Sequence, residues 1–301
     1  MENFKIKSDY DNLELDVNKY ECNNAKASVL VVHGMVEYKE RYDRFARFLV
    51  ENGYEVYTYD HRGHGSSLNE NNDFGFFASK NGHIGIVNDL KQVVNYVKDN
   101  NENKKLFIFA HSMGTIVTRL FLQENSNLVD KVILSGAPCP NKLAGVGHFI
   151  AKLKCMFNGD KKHSKLITKL SLGSFNKKVE NPTSNNDWIS YNQENIDKYN
   201  NDPLCSFTFT NSAYKDLFKM VHLMQKPKRY KSVKSDLEIM FLAGKDDPCT
   251  GGTKGLNNSI NVLVKGGFKN ISKKQFENMR HEILNELDYD KVHEESLKFY
   301  E

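Results

Sequence analysis

The chain has 301 residues, 39% hydrophobic and 27% charged, an ordinary globular balance that allows a large core as one domain with an insertion or as two domains. No run approaches the ~18 consecutive apolar residues of a transmembrane helix, Met1 to Lys7 is too charged for a signal peptide, and five scattered cysteines without metal-ligand spacing suggest reduced thiols in a cytoplasmic protein. The net charge is +4, but residues 139 to 234 hold 17 Lys+Arg against 7 Asp+Glu, leaving 25 against 31 elsewhere.

Residues 2–20 alternate weakly (Phe4, Ile6; Leu13, Leu15, Val17), which predicts two edge strands in a hairpin turning at Asp9–Asn12. Ser28 to Val32 is short, apolar and β-branched, as in a strand buried on both faces of a parallel sheet. Tyr42, Phe45, Ala46, Phe48 and Leu49 then recur at helical spacing, and Gly53 ends that helix. A strand over Tyr54–Tyr59 runs into the turn-rich segment Asp60 to Ser67. Val87, Leu90, Val93, Val94 and Val97 mark an amphipathic helix over Ile86–Val97. Leu106 to Ala110 reads as a strand, Thr115 to Leu122 as a helix and Val132 to Ser135 as another strand. Strand and helix in alternation predict an α/β fold with a mostly parallel sheet.

The rhythm breaks after Gly136-Ala137-Pro138. Helical pieces follow at Phe149–Met156, Leu166–Leu172 and Ala213–Met224, among loops rich in Asn, Ser and Lys. This predicts a mainly helical cap over 139–234, inserted into a core of 1–138 and 235–301. Its apolar faces form either a small core of its own or the lining for an apolar substrate. Its basic balance is either a solvated lysine-rich face or a surface that meets something anionic. The sheet resumes at Leu237–Ala243. Ser259–Val264 has strand propensity, but a crossover between parallel strands calls for a helix there. A last strand over Asn270–Phe276 and a helix over Asp288–Phe299 complete the chain.

Parallel sheets gather their chemistry at the carboxyl ends of the strands. Three such ends carry Ser112, Asp247 and His281, in the chain order Ser, acid, His. Ser112 sits in a sharp strand-to-helix turn between Ala110 and Gly114, small residues where two backbones approach closely. A serine hydroxyl is a poor nucleophile alone; a histidine takes its proton and a carboxylate fixes the imidazole. Counting three residues from Gly244 selects Asp247 as the acid, with its neighbour Asp246 as the solvent-facing alternative. Acyl transfer also needs donors for an oxyanion. The backbone N–H groups of Met113, directly after the serine, and of Met35, in the loop His33-Gly34-Met35, are the expected donors.

Together His33-Gly34-Met35-Val36-Glu37, Tyr59 to Ser66, His111-Ser112-Met113-Gly114 and Met279 to Leu284 resemble the monoacylglycerol lipase and lysophospholipase group of α/β hydrolases, classed with the serine aminopeptidases. The resemblance implies an eight-stranded α/β-hydrolase core with a helical cap, Ser112, Asp247 and His281 as triad, and Met35 and Met113 as oxyanion donors. It implies a loop-ordering role for Glu37, His61, Arg62 and His64. Ala110 replaces the first glycine of the turn, and Tyr38 stands where such chains often carry histidine. The expected activity is that of a cytoplasmic serine ester hydrolase on acyl glycerolipids, with no cofactor and no metal. The expected partners are an acyl-ester or lipid substrate and an anionic membrane surface met by the basic cap. Nothing in the sequence points to nucleic acid or specifies an oligomeric state. Three rivals are a carboxylesterase for short soluble esters, an aminopeptidase, which needs an acidic group for the substrate amine, and a silent binding protein, which would typically lack one of the three residues present here. An epoxide hydrolase needs a carboxylate nucleophile, and position 112 is serine.

Overall fold

The computed structural model describes residues 1–101 and 105–301. Eight strands form one sheet: β1 (Glu2–Lys7), β2 (Glu14–Tyr20), β3 (Ala27–Val32), β4 (Tyr54–Tyr59), β5 (Lys105–His111), β6 (Lys131–Ser135), β7 (Glu238–Gly244) and β8 (Asn270–Phe276). Their spatial order is β1-β2-β4-β3-β5-β6-β7-β8. β1 and β2 pair antiparallel, β2 meets β4 antiparallel, and every later pairing is parallel. The sequence-predicted hairpin and all the predicted strands are present.

The helices of the sheet layers are α1 (Asp43–Glu51), α2 (Gly82–Asp99), α3 (Met113–Asn125), α8 (Gly252–Gly266) and α9 (Tyr289–Tyr300). The period-2 alternation of the buried strands assigns the two faces. Leu30, Val32, Ile108, Ala110, Ile239 and Phe241 point into one core, against α2, α3 and α8. Val29, Val31, Phe107, Phe109, Met240 and Leu242 point into the other, against α1 and α9. A strand so enclosed must be apolar on both sides, which is why β3 reads Ala-Ser-Val-Leu-Val-Val and is buried throughout.

Between β6 and β7 the chain leaves the sheet for α4 (Ala144–Asn158), α5 (Lys165–Leu172), α6 (Gln193–Asn201) and α7 (Asn211–Met224). α6 has no counterpart in the sequence reading. Its sequence, Gln-Glu-Asn-Ile-Asp-Lys-Tyr-Asn-Asn, offers Ile196 as its one buried aliphatic, so no apolar period announces it. The Asn192 side chain starts it by accepting the Glu194 N–H at 3.2 Å. Around Ser259–Val264, the crossover requirement prevails over strand propensity: the residues lie inside α8. No helix among the described residues is long and apolar enough to cross a membrane.

Candidate active site

Ser112 lies between β5 and α3 with φ 48° and ψ −117°. Such a backbone is strained for a residue with a Cβ, and it persists only where the surroundings impose it. The Ser112 N–H donates to the Ser135 carbonyl of the adjacent strand end at 2.9 Å. The Thr115 hydroxyl and N–H both donate to the Ser112 carbonyl, at 2.7 and 3.0 Å. Close approach explains the glycine at 114, where a Cβ would lie 2.2 Å from the Val32 carbonyl oxygen. Ala110 belongs to β5 and faces the core, where its methyl is buried.

The structure brings Ser112, His281 and Asp247 together in one hydrogen-bonded row. His281 Nε2 is 2.8 Å from Ser112 Oγ, and His281 Nδ1 is 2.9 Å from Asp247 Oδ2. A carboxylate only accepts, so Nδ1 carries the imidazole proton and Nε2 is free to accept from the serine hydroxyl. Asp247 Oδ1 accepts the Cys249 N–H at 2.8 Å, which fixes the carboxylate plane. Burial opposes charging of His281, but the carboxylates of Asp247, then Glu282 and Glu37, outweigh it and leave its pKa above the ordinary 6.5. Asp246 is exposed and accepts from the Tyr191 hydroxyl at 3.2 Å instead.

Met35 and Met113 line the same cavity as Ser112. Among the described residues, neither backbone N–H has an acceptor. The loop carrying Met35 is pinned from below. Glu37 accepts the Gly34 N–H at 2.6 Å and the Tyr42 hydroxyl at 2.9 Å. His33 Nδ1 donates to the Gly34 carbonyl at 2.8 Å, and its Nε2 accepts the His61 N–H at 2.9 Å. His61 Nε2 returns a bond to the His33 carbonyl at 3.1 Å. Burial pushes His33, His61 and His64 below the ordinary histidine pKa, so they serve as neutral bonded rings. Arg62 is wholly buried on Asp89 and also pairs with Asp11.

Sequence reasoning missed a second ring of residues. Arg41 forks onto Glu282 at 2.7 and 2.8 Å and also reaches Glu37 at 3.1 Å and Asn195 of α6 at 3.1 Å. One guanidinium thus ties the Met35 loop, the His281 loop and the inserted segment. Burial raises both carboxyls, but Arg41 overrides it at Glu282 and holds that group at about 2. Glu37, with a single contact to Arg41, is left raised by burial. The spacing of four between Glu37 and Arg41 was a helical-pair signal; the long-range Glu282 partner had none. Trp188, the only tryptophan, stands out in the sequence, but its place beside the site does not: its ring lies 4.8 Å from the His281 ring.

Above Ser112 lies a cavity of about 450 Å³. Met113 and Ile116 from the sheet side face Leu170, Leu172, Leu217, Phe218 and Val221 from the inserted segment. A nucleophile-base pair at the floor of a mainly apolar pocket suits acyl transfer from a substrate with a hydrocarbon arm.

Comparison with known proteins places the chain among hydrolases. The family model described as "Serine aminopeptidase, S33" matches residues 23–288. Monoglyceride lipase of Rattus norvegicus is 29% identical over 188 residues, 60% of this chain and 52% of that protein. A monoglyceride lipase homolog of Monkeypox virus is 34% identical over 112 residues, 36% of this chain and 37% of its own length. The chain spans about half or less of the curated relatives it matches. Among solved structures, a thermostable carboxyl esterase from Bacillus coagulans superposes with a TM-score of 0.91 at 24% identity, covering 99% of this chain and 97% of that one. A soluble variant of monoglyceride lipase from Saccharomyces cerevisiae gives 0.71 at 19% identity, covering 96% and 92%. These likenesses establish the α/β-hydrolase fold.

Proposed function

The chain belongs to the serine aminopeptidase S33 family of α/β hydrolases, and from that premise we propose that it is a serine ester hydrolase that cleaves acyl glycerolipids, of the monoacylglycerol lipase or lysophospholipase type. The observation that carries this reading is the continuous row Ser112–His281–Asp247, at 2.8 and 2.9 Å, on the floor of an apolar cavity. Ser112 Oγ attacks the ester carbonyl as His281 Nε2 takes its proton. The backbone N–H groups of Met35 and Met113 receive the oxyanion. Collapse expels the alcohol, protonated by His281, and leaves an acyl-serine. Water, deprotonated by the same imidazole, then releases the fatty acid.

In this reading 139–234 is a cap over the core of 1–138 and 235–301, and it binds the acyl chain. The aliphatic residues it turns toward Ser112 support that role. It exposes Leu143, Val146, Phe149, Phe157 and Leu166, and in the same segment Lys142, Lys152, Lys161, Lys162, Lys165 and Lys169. Exposed apolar side chains interspersed with lysines suit an anionic lipid surface. We place the enzyme in the cytoplasm, a compartment compatible with its five free cysteines. The aminopeptidase alternative has one observation in its favour, since Glu37 and Glu282 line the cavity. Arg41 already occupies both, so neither is free to hold a substrate amine.

A panel of p-nitrophenyl esters of graded chain length, run beside monoacylglycerol, lysophosphatidylcholine and an aminoacyl amide, tests the reading. Acylglycerol turnover with no amide cleavage is expected. Preference for the amide, or for acetate over every longer ester, overturns it. Liposome binding that ignores anionic lipid content and salt removes the membrane contact.

A further inference from the structure

Asp247 and Cys249 stand two residues apart in the loop that leaves β7. The loop folds back on itself: the Cys249 N–H donates to Asp247 Oδ1, and the Thr250 hydroxyl donates to the Asp247 carbonyl at 3.0 Å. This brings the Cys249 sulfur to the side of the loop that faces His281. One carboxylate oxygen, the Cys249 sulfur and one His281 nitrogen all lie within 4.8 Å of one another, and all three residues are buried. Cys249 and His281 also line the cavity, which gives a small ion a route in. The proton-transfer row uses Asp247 and His281 and leaves the sulfur without a role.

We propose that Asp247, Cys249 and His281 form an inhibitory site for a thiophilic divalent cation of the Zn2+ class. Thiolate, imidazole and carboxylate are the donor set that Zn2+ prefers, at about 2.3 Å to sulfur and about 2.0–2.2 Å to nitrogen and oxygen. A tetrahedron with those bonds spaces its donors roughly 3.3–3.7 Å apart. His281 Nδ1 and Asp247 Oδ2, 2.9 Å apart, open by a few tenths of an ångström to meet that spacing, and the Cys249 sulfur, within 4.8 Å of the other two ligand atoms, closes on them by side-chain rotation. Three protein ligands leave the fourth position for water from the cavity. Burial keeps the Cys249 thiol protonated in the free protein. The cation displaces that proton to solvent and takes the thiolate.

Inhibition follows from the imidazole. The ring nitrogen that faces Asp247 is Nδ1. The cation takes Nδ1, the ring proton moves to Nε2, and Nε2 then cannot accept from Ser112. The inhibition rests on the proposed role of His281 in ester hydrolysis; the binding does not.

The test separates the two. Metal-free full-length protein is titrated with Co2+ and followed by the thiolate-to-cobalt charge-transfer band, and ester hydrolysis is assayed separately in chelator-buffered Zn2+. Each form is compared with its own metal-free rate. The expected result is a band in the wild type and in Ser112→Ala, no band in Cys249→Ser, and EDTA-reversible inhibition by Zn2+ that needs at least tenfold more metal in Cys249→Ser. Cys139, whose N–H donates to the Cys249 carbonyl at 3.3 Å, is the neighbouring thiol outside the cluster, and Cys139→Ser should respond as the wild type does. A band that survives Cys249→Ser, equal inhibition of the two forms, or equal loss in Cys139→Ser overturns the assignment. If no form hydrolyses any ester, the ester-hydrolase reading fails, and the cobalt spectra still decide the site.

Discussion

Replacing Asp247 by Asn leaves the shape of the site and reverses one proton. The Cys249 N–H donates to Oδ1 at 2.8 Å, so the amide of an asparagine keeps its oxygen there and turns its NH2 toward His281 Nδ1. Nδ1 must then accept, which sends the ring proton to Nε2, 2.8 Å from Ser112 Oγ. Two donors now face each other, and the serine has no base. The charge that stabilises the imidazolium is lost as well. Triads elsewhere lose about 10⁴-fold in kcat from this change, ~5.5 kcal/mol of barrier. Asp246 is exposed and its carboxylate accepts from the Tyr191 hydroxyl, away from His281, so Asp246→Asn should stay within about threefold, under ~1 kcal/mol. The assay is steady-state hydrolysis of a p-nitrophenyl ester by both variants, with circular dichroism to verify folding. A folded Asp247→Asn within tenfold of wild type, or a larger loss in Asp246→Asn, refutes the reasoning.

The acidic limb of kcat/KM should titrate above 6.5, because His281 must be neutral to act as base and its neighbours raise its pKa. Glu282→Gln removes one raising charge and should move the limb to lower pH; a stationary or rising limb contradicts this. Arg41→Met strands the carboxylates of Glu282 and Glu37 in the interior and should cost about 3–5 kcal/mol in urea denaturation at pH 7. The folded pKa of Glu282 is depressed from 4.5 to about 2, so its contribution is present above 4.5 and lost as pH falls toward 2. The gap between wild type and Arg41→Met should therefore narrow across that window. Ala110→Gly should keep activity within a few-fold while costing about 1–2 kcal/mol, from strand entropy and one lost buried methyl.

The sheet was legible because its central strands are enclosed on both sides and must be apolar throughout. That same enclosure fixes where each strand ends, and hence where Ser112, Asp247 and His281 stand. The choice of Asp247 over Asp246 came from counting residues past Gly244, and the fold places the first in the row and the second in solvent. α6 was illegible because its stability rests on a cap and on contacts with distant segments, not on an apolar stripe. The Arg41–Glu282 pair was illegible because its partners are 241 residues apart. The Cys249 sulfur drew no notice because, in sequence, a cysteine two residues past an acid has no metal-ligand partner until folding brings His281 to it.

Labelling with a fluorophosphonate probe, followed by peptide mass spectrometry, tests the central claim most directly. An activated serine at the β5–α3 turn predicts one covalent adduct, on Ser112, abolished in Ser112→Ala and nearly abolished in His281→Ala. Absence of labelling in the folded wild type, or equal labelling of Ser112→Ala, would contradict it.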